Sequence, residues 1–116
     1  MRLDLWRRHP KNTHIIARGL ADLIRRVRPD VIHCVLEPWS IMCLQALAAM
    51  RRMNPRPVFG VQAGETKPEQ GGATVRYIRQ SLYRRVLARS DFFIGWSSLV
   101  IRAATRMGLT GQVTCV

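Results

Sequence analysis

The chain of 116 residues reads as an α/β protein. The expected fold is a Rossmann-like parallel sheet of about four strands with helices on both faces. Three observations predict it. Short apolar runs rich in β-branched residues recur along the chain, as at residues 31–36 and 58–62. Segments with a helical apolar period stand between them. Proline, glycine, asparagine and serine punctuate the joins. Strands alternating with helices of this length imply right-handed crossovers and parallel pairing.

The elements follow in order. Residues 1–12 show little periodicity and read as an irregular N-terminal segment; 13–116 read as a partial Rossmann-like domain. From Thr13, Ile16, Leu20, Leu23, Ile24 and Val27 share one helical face, and Arg18, Asp22, Arg25 and Arg26 share the other. Asn12 or Thr13 can cap that helix. Pro29 ends it, because a residue before proline is driven out of the helical region. Residues 31–36 suit a parallel strand covered on both faces. Pro38 stands at a helix start, where its missing N–H costs nothing. Residues 41–53 are apolar almost all round, Gln45, Arg51 and Arg52 excepted, so that helix is largely buried. Asn54-Pro55-Arg56-Pro57 breaks it.

A second strand follows at 58–62, then a polar loop, 63–72, with three glycines and a proline. In a third helix from about residue 73 to residue 89, Val75, Ile78, Leu82 and Val86 face inward. Residues 91–95 form a third strand. Ser97 or Ser98 caps a fourth helix through Met107, and Gly108 suits the positive-φ position after it. A fourth strand runs over 112–116. The pattern opens on a helix and closes on a strand, so the expectation is a piece of a larger domain.

Net charge is +12, and all but two of the 19 Lys and Arg residues are arginine. Such a balance favours anionic partners: acidic membrane, phosphorylated substrate or nucleic acid. However, the arginines come as short pairs near predicted helix ends, where cations complement the helix dipole. No nucleic-acid-binding motif accompanies them, so nucleic acid is the less favoured partner. Cys34, Cys43 and Cys115 form no CxxC pair and fit neither a disulfide framework nor a zinc site. They read as reduced core thiols of a cytoplasmic protein. No apolar run is long enough to span a membrane, which leaves a peripheral position at the inner membrane face as the alternative location. His33 lies within a strand, and no histidine spacing suggests a metal. Phosphate-loop, dinucleotide and G-x-S-x-G signatures are absent.

Candidate chemistry therefore gathers at the loops following the strands, since ligands of open α/β sheets bind outside the carboxyl ends. These are Glu37-Pro38-Trp39-Ser40, the loop from Gln62 to Gly72, and Gly95-Trp96-Ser97-Ser98. Glu37 precedes a helix N-terminus, where a carboxylate is favoured. Ser40 and Ser97 can act as caps or as ligand contacts. Trp39 and Trp96 can stack on sugars or pack a junction.

These blocks resemble a known family. Arg28-Pro29-Asp30-Val31-Ile32-His33, followed by Glu37-Pro38-Trp39-Ser40, is similar to the N-terminal domain of retaining family 4 glycosyltransferases of the GT-B fold. The strand from Pro57 to Gln62 resembles the one that leads to the acceptor loop, and Lys67-Pro68 a lysine-containing stretch there. The run from Ala88 to Ser97 resembles "R-A-D-x-x-x-x-x-S". Arg102 through Gly108, then Val113, resembles the run that closes that domain. Together the blocks span residues 13–116.

The resemblance implies transfer of a sugar from a nucleotide-sugar donor to a sugar or lipid-linked acceptor. It implies that this domain supplies the acceptor side of the cleft, with Glu37, Trp39, Ser40, Gln62, Lys67 and Ser97 as candidate acceptor contacts. A donor-binding domain with an E-x₇-E motif is expected in the same gene or in a partner chain. No cofactor or catalytic metal is expected, and the chain alone is expected to be inactive. Gln62 stands where many members place a histidine, and Ala63 follows it, a departure from the Gln-Asn of others. The catalytic residues are not assigned by the resemblance. The competing reading is a basic α/β module that binds nucleic acid or an acidic membrane surface.

Overall fold

The computed structural model describes residues 16–64 and 72–115. The expected irregular start at 1–12, the Asn12 or Thr13 cap, most of the polar loop with Lys67, and Val116 lie outside the described residues. The elements are α1 (Leu20–Val27), β1 (Val31–Val35), α2 (Ile41–Met50), β2 (Val58–Ala63), α3 (Ala73–Ala88), β3 (Phe92–Gly95), α4 (Ser98–Arg106) and β4 (Gln112–Cys115). The strands form one sheet in the order β1-β2-β3-β4, every neighbouring pair parallel. The Rossmann-like α/β class expected from the sequence is the fold observed.

The distribution of helices differs from expectation. Every crossover steps the same way across the sheet, and right-handed connections then place each linking helix on the same face. α1 joins this layer by packing along α2, and α2 meets α3. Phe59, Val61, Ala63 and Phe93 point into the layer and are buried with Cys43, Met50, Tyr83, Val86 and Val100. Val31, Val35 and Val58 alternate to the other face and are exposed. No second helical layer covers that face among the described residues. Among the described residues β1 is thus covered on one face, not on both.

The uncovered face has an order of its own. His33, Gly60 and Phe92 stand level across β1, β2 and β3. The Phe92 ring lies over Gly60 towards His33, with ring centroids 5.7 Å apart. A Cβ on Gly60 would run into that ring, so the close approach requires glycine.

Helix boundaries have local causes. Gly19 has φ 80°, which delays α1 to Leu20 and leaves Ile16 exposed and outside the helix. α1 has no side-chain cap; the Gln45 side chain of α2 instead ties down the approach to it, its Oε1 accepting from the Ala17 N–H at 2.9 Å and its Nε2 donating to the Ala17 carbonyl. Val27, expected inward, is exposed at the last position of α1. Arg28 leaves that helix in the left-handed region, φ 51°, because Pro29 excludes the right-handed one. α2 is largely buried as expected, although it ends at Met50. Val75 and Ile78 are exposed because the first turns of α3 extend beyond the packed layer; Val86 is buried. α4 closes with Gly108 at φ 101°, as expected; Gly108 N–H donates to Thr105 O and Leu109 N–H to Ala104 O. Cys43 is buried, but Cys115 is exposed on the edge strand β4; all three cysteines are free.

At the amino edge one carboxylate joins the strands. Asp91 Oδ2 accepts from the Phe59 N–H at 2.8 Å, and both Asp91 oxygens accept from Arg56 Nη2. The Asp91 main chain donates to Phe59 O at 2.7 Å and accepts from the Gln112 N–H at 3.1 Å. Arg56 and Asp91 are both more than a third exposed, so their ion pair contributes little. The bond to Phe59 N–H matters more, because losing it strands a main-chain donor. Asp91→Ala is therefore expected to lower unfolding free energy by about 1–3 kcal/mol. Asp91→Asn, which keeps an acceptor oxygen, and Arg56→Gln should each cost about 1 kcal/mol or less. Urea denaturation of the three variants checks the order; equal losses in all three would assign the effect to the ion pair.

Candidate functional site

The carboxyl edge of the sheet carries the ends of β1, β2 and β3 and the N-termini of α2, α3 and α4. Glu37 is half-buried in the tight turn between β1 and α2, whose main-chain bond runs from Ser40 N–H to Glu37 O at 2.9 Å. Its Oε1 accepts from the Gly64 N–H, just beyond β2, at 3.1 Å. One carboxylate thus spans two strand-end loops. Trp96 begins the loop after β3; its N–H donates to Ala63 O at 3.3 Å. The Trp96 indole rests on Gly64, where a Cβ would come within 2.7 Å of the ring. Glu37, Gly64 and Trp96 therefore form a continuous ridge across three strand ends.

The other expected residues divide by orientation. Trp39 is only 3% exposed and stacks on Tyr83 of α3, ring centroids 5.6 Å apart. Ser40 is 1% exposed and caps α2, its hydroxyl accepting from the Met42 N–H. Both are inward-facing, so Trp39 is a junction packer and not a rim aromatic. Ser97 caps α4 by accepting from the Val100 N–H at 3.3 Å and keeps partial exposure. Gln62 stands on the uncovered face, level with Val35 and Ile94, one residue short of the end of β2. Lys67 lies outside the described residues. The structure brings Glu37 and Ser97 to the same edge and adds Trp96, 60% exposed. The signal for Trp96 was its place at a strand-to-helix junction, which Trp39 shares; only packing distinguishes the two.

Beneath the ridge the electrostatics are those of a dry layer beside a carboxylate. Burial, then the nearby Glu37 charge, pushes the Tyr83 phenol up to about 12. The neighbouring Cys43 thiol lowers Cys34, while Cys34, then burial and the Glu37 charge push Cys43 up. Cys43 Sγ–H donates to Glu37 O at 3.8 Å. No cluster of three or more metal-ligating side chains occurs among the described residues. A cleft of about 1010 Å³ lies instead at the amino edge, lined by the C-terminal ends of α2 and α3 and the approach to β4.

A four-stranded parallel sheet whose strands are joined by helices is a Rossmann-like domain. The match to the glycosyl transferase 4-like domain covers residues 1–116, and the chain belongs to that family. No curated protein and no solved structure matches the chain. Among the described residues no helix is long and apolar enough to cross a membrane.

The Tyr83 shift has a consequence for stability. A phenol whose folded pKa is raised contributes nothing against folding below its unfolded value, about 10. Above that pH the unfolded chain ionises first, so stability falls until the folded phenol also ionises near 12. The expected loss is roughly 2–3 kcal/mol across this window. Tyr83→Phe should remove that step from the denaturation midpoint plotted against pH; a step retained in Tyr83→Phe would place its origin elsewhere.

Proposed function

We propose that this chain supplies the acceptor-side half of a sugar-transfer cleft, working with a donor-binding domain that holds a nucleotide sugar. The observation that carries this reading is the exposed Trp96 indole, resting on Gly64, whose N–H Glu37 holds, at the strand-end edge of a glycosyltransferase 4-like domain. An exposed indole offers a flat apolar face to a pyranose ring. Ser97 adds a hydroxyl at the same edge. Glu37 acts through the loop, since it accepts from Gly64 N–H and thereby fixes the residue on which the Trp96 indole rests. No step of the reaction is assigned to it.

Transfer needs acceptor and donor held together in a water-poor cleft. This half alone is therefore expected to bind an acceptor without transferring sugar to it. Saturation-transfer NMR with a panel of monosaccharides and disaccharides tests the first part. Trp96→Ala should weaken binding about tenfold, and Glu37→Ala, which releases the Gly64 loop under the indole, by a smaller factor. Binding that survives both substitutions would refute the ridge as the acceptor site. Sugar release or transfer from nucleotide sugars by the purified chain would refute the division of labour.

A second reading, attachment to an acidic membrane surface, is favoured by one specific observation. The first turns of α3 and α4, at the same carboxyl edge, expose Val75, Tyr77, Ile78 and Leu99 beside Arg76 and Arg102. Apolar and cationic side chains in such company suit the headgroup region of an anionic bilayer and a lipid-linked acceptor within it. Co-sedimentation with anionic vesicles, lost on Tyr77→Asp and Ile78→Asp together, is the expected outcome. Equal binding of the double variant would overturn it.

A further inference from the structure

We propose that the cleft at the amino edge of the sheet is a site for a soluble diphosphate or polyphosphate anion, separate from the carboxyl-edge ridge. The cleft occupies about 1010 Å³ and carries Arg51, Arg56, Arg85 and Arg89 on its walls. Asp91 is the one carboxylate among its lining residues. That carboxylate is already engaged: both oxygens bind Arg56 Nη2, and Oδ2 also binds the Phe59 N–H. Arg51 and Arg85 have no ion-pair partner among the described residues and are exposed.

Helix dipoles offer the simplest alternative account of these arginines, and magnitudes decide against it as a full explanation. α2 and α3 both end at this cleft, and each helix C-terminus carries about half a negative charge. Four guanidiniums less one aspartate leave three positive charges, of which two helix ends offset only about one. An excess of about two positive charges stays in a concave, partly apolar site floored by Leu44, Leu47 and Met50. Low-dielectric walls there strengthen the field felt by an incoming anion.

The donor geometry selects the kind of anion. A guanidinium presents paired N–H groups that match phosphoryl oxygens two at a time. A carboxylate has two acceptor oxygens and one charge, so it satisfies a single arginine, as Asp91 does with Arg56. A diphosphate has enough oxygens and charge for several. Thr110 and Gln112, also in the lining, add uncharged polar side chains.

Pyrophosphate is the probe, titrated into the intact chain at low and physiological ionic strength by isothermal calorimetry. Saturable one-to-one binding is expected, and Arg51→Gln with Arg85→Gln should weaken it about tenfold or more, since the pair removes two charge-assisted contacts to the anion. The matched control, Arg26→Gln with Arg102→Gln, removes the same charge from α1 and α4 and should change the affinity less than about twofold. Circular dichroism confirms that both double variants fold. Equal weakening in the two double variants would reduce the effect to net charge and overturn the site. So would citrate competing as well as pyrophosphate, because it matches the charge without the phosphoryl geometry. Binding to phosphatidic acid vesicles without binding to pyrophosphate would overturn the soluble ligand in favour of a lipid headgroup.

Discussion

The Asp91 carboxylate connects parts of the chain that meet only because the sheet exists. It accepts from Phe59 N–H at the start of β2 and from Arg56 just before it, while its own main chain reaches both Phe59 and Gln112. These bonds set the register of β2, β3 and β4 at one end. Register fixes which residues face the helices: a slip of one residue would turn Phe59, Val61 and Phe93 outward together. The same register sets the other end of the sheet. Gly95 stands level with Ala63, so Trp96 can bond Ala63 O and rest on Gly64. The geometry of the exposed ridge is thus fixed partly from the opposite edge.

Glu37 and the Trp39–Tyr83 pair show how one turn serves packing and display together. Trp39 anchors the turn from below by stacking on α3, and Ser40 closes the first turn of α2. Above them Glu37 is half-buried, its Oε1 on the Gly64 N–H and its Oε2 shielded from solvent. The electrostatic effect of that carboxylate reaches inward to Tyr83 and Cys43. Any ligand that neutralises Glu37 would change the field across this part of the core.

Element order, strand positions and class were legible because apolar periodicity is strong and proline and glycine mark the joins. Ser97 at the start of α4 and Gly108 after its end are local chemistry, readable from a few residues. What could not be read is tertiary. Val31 and Val35 look identical to Ile32 and Cys34 as members of an apolar run, yet strand order alone exposes the first pair. Trp39 and Trp96 occupy equivalent junctions in the chain; a neighbouring Tyr83 buries one, and a neighbouring glycine leaves the other displayed. Val75 and Ile78 obey the helical period of α3 but lie beyond the layer that would cover them. The candidate site was legible as an edge, while the side chains that face outward there depended on packing.

The sequential strand order has a bearing on how the molecule comes into being. Among the described residues each of β2, β3 and β4 pairs with the strand made immediately before it. Loop closure costs are then moderate and similar at every step. A chain emerging from the ribosome can dock β2 on β1, then β3 on β2, each time carrying its own covering helix. Asp91 arrives just ahead of β3, when Phe59 is already present to receive it, and Gln112 then adds β4 to a template in place. Assembly of this fold can therefore run in the same direction as its synthesis.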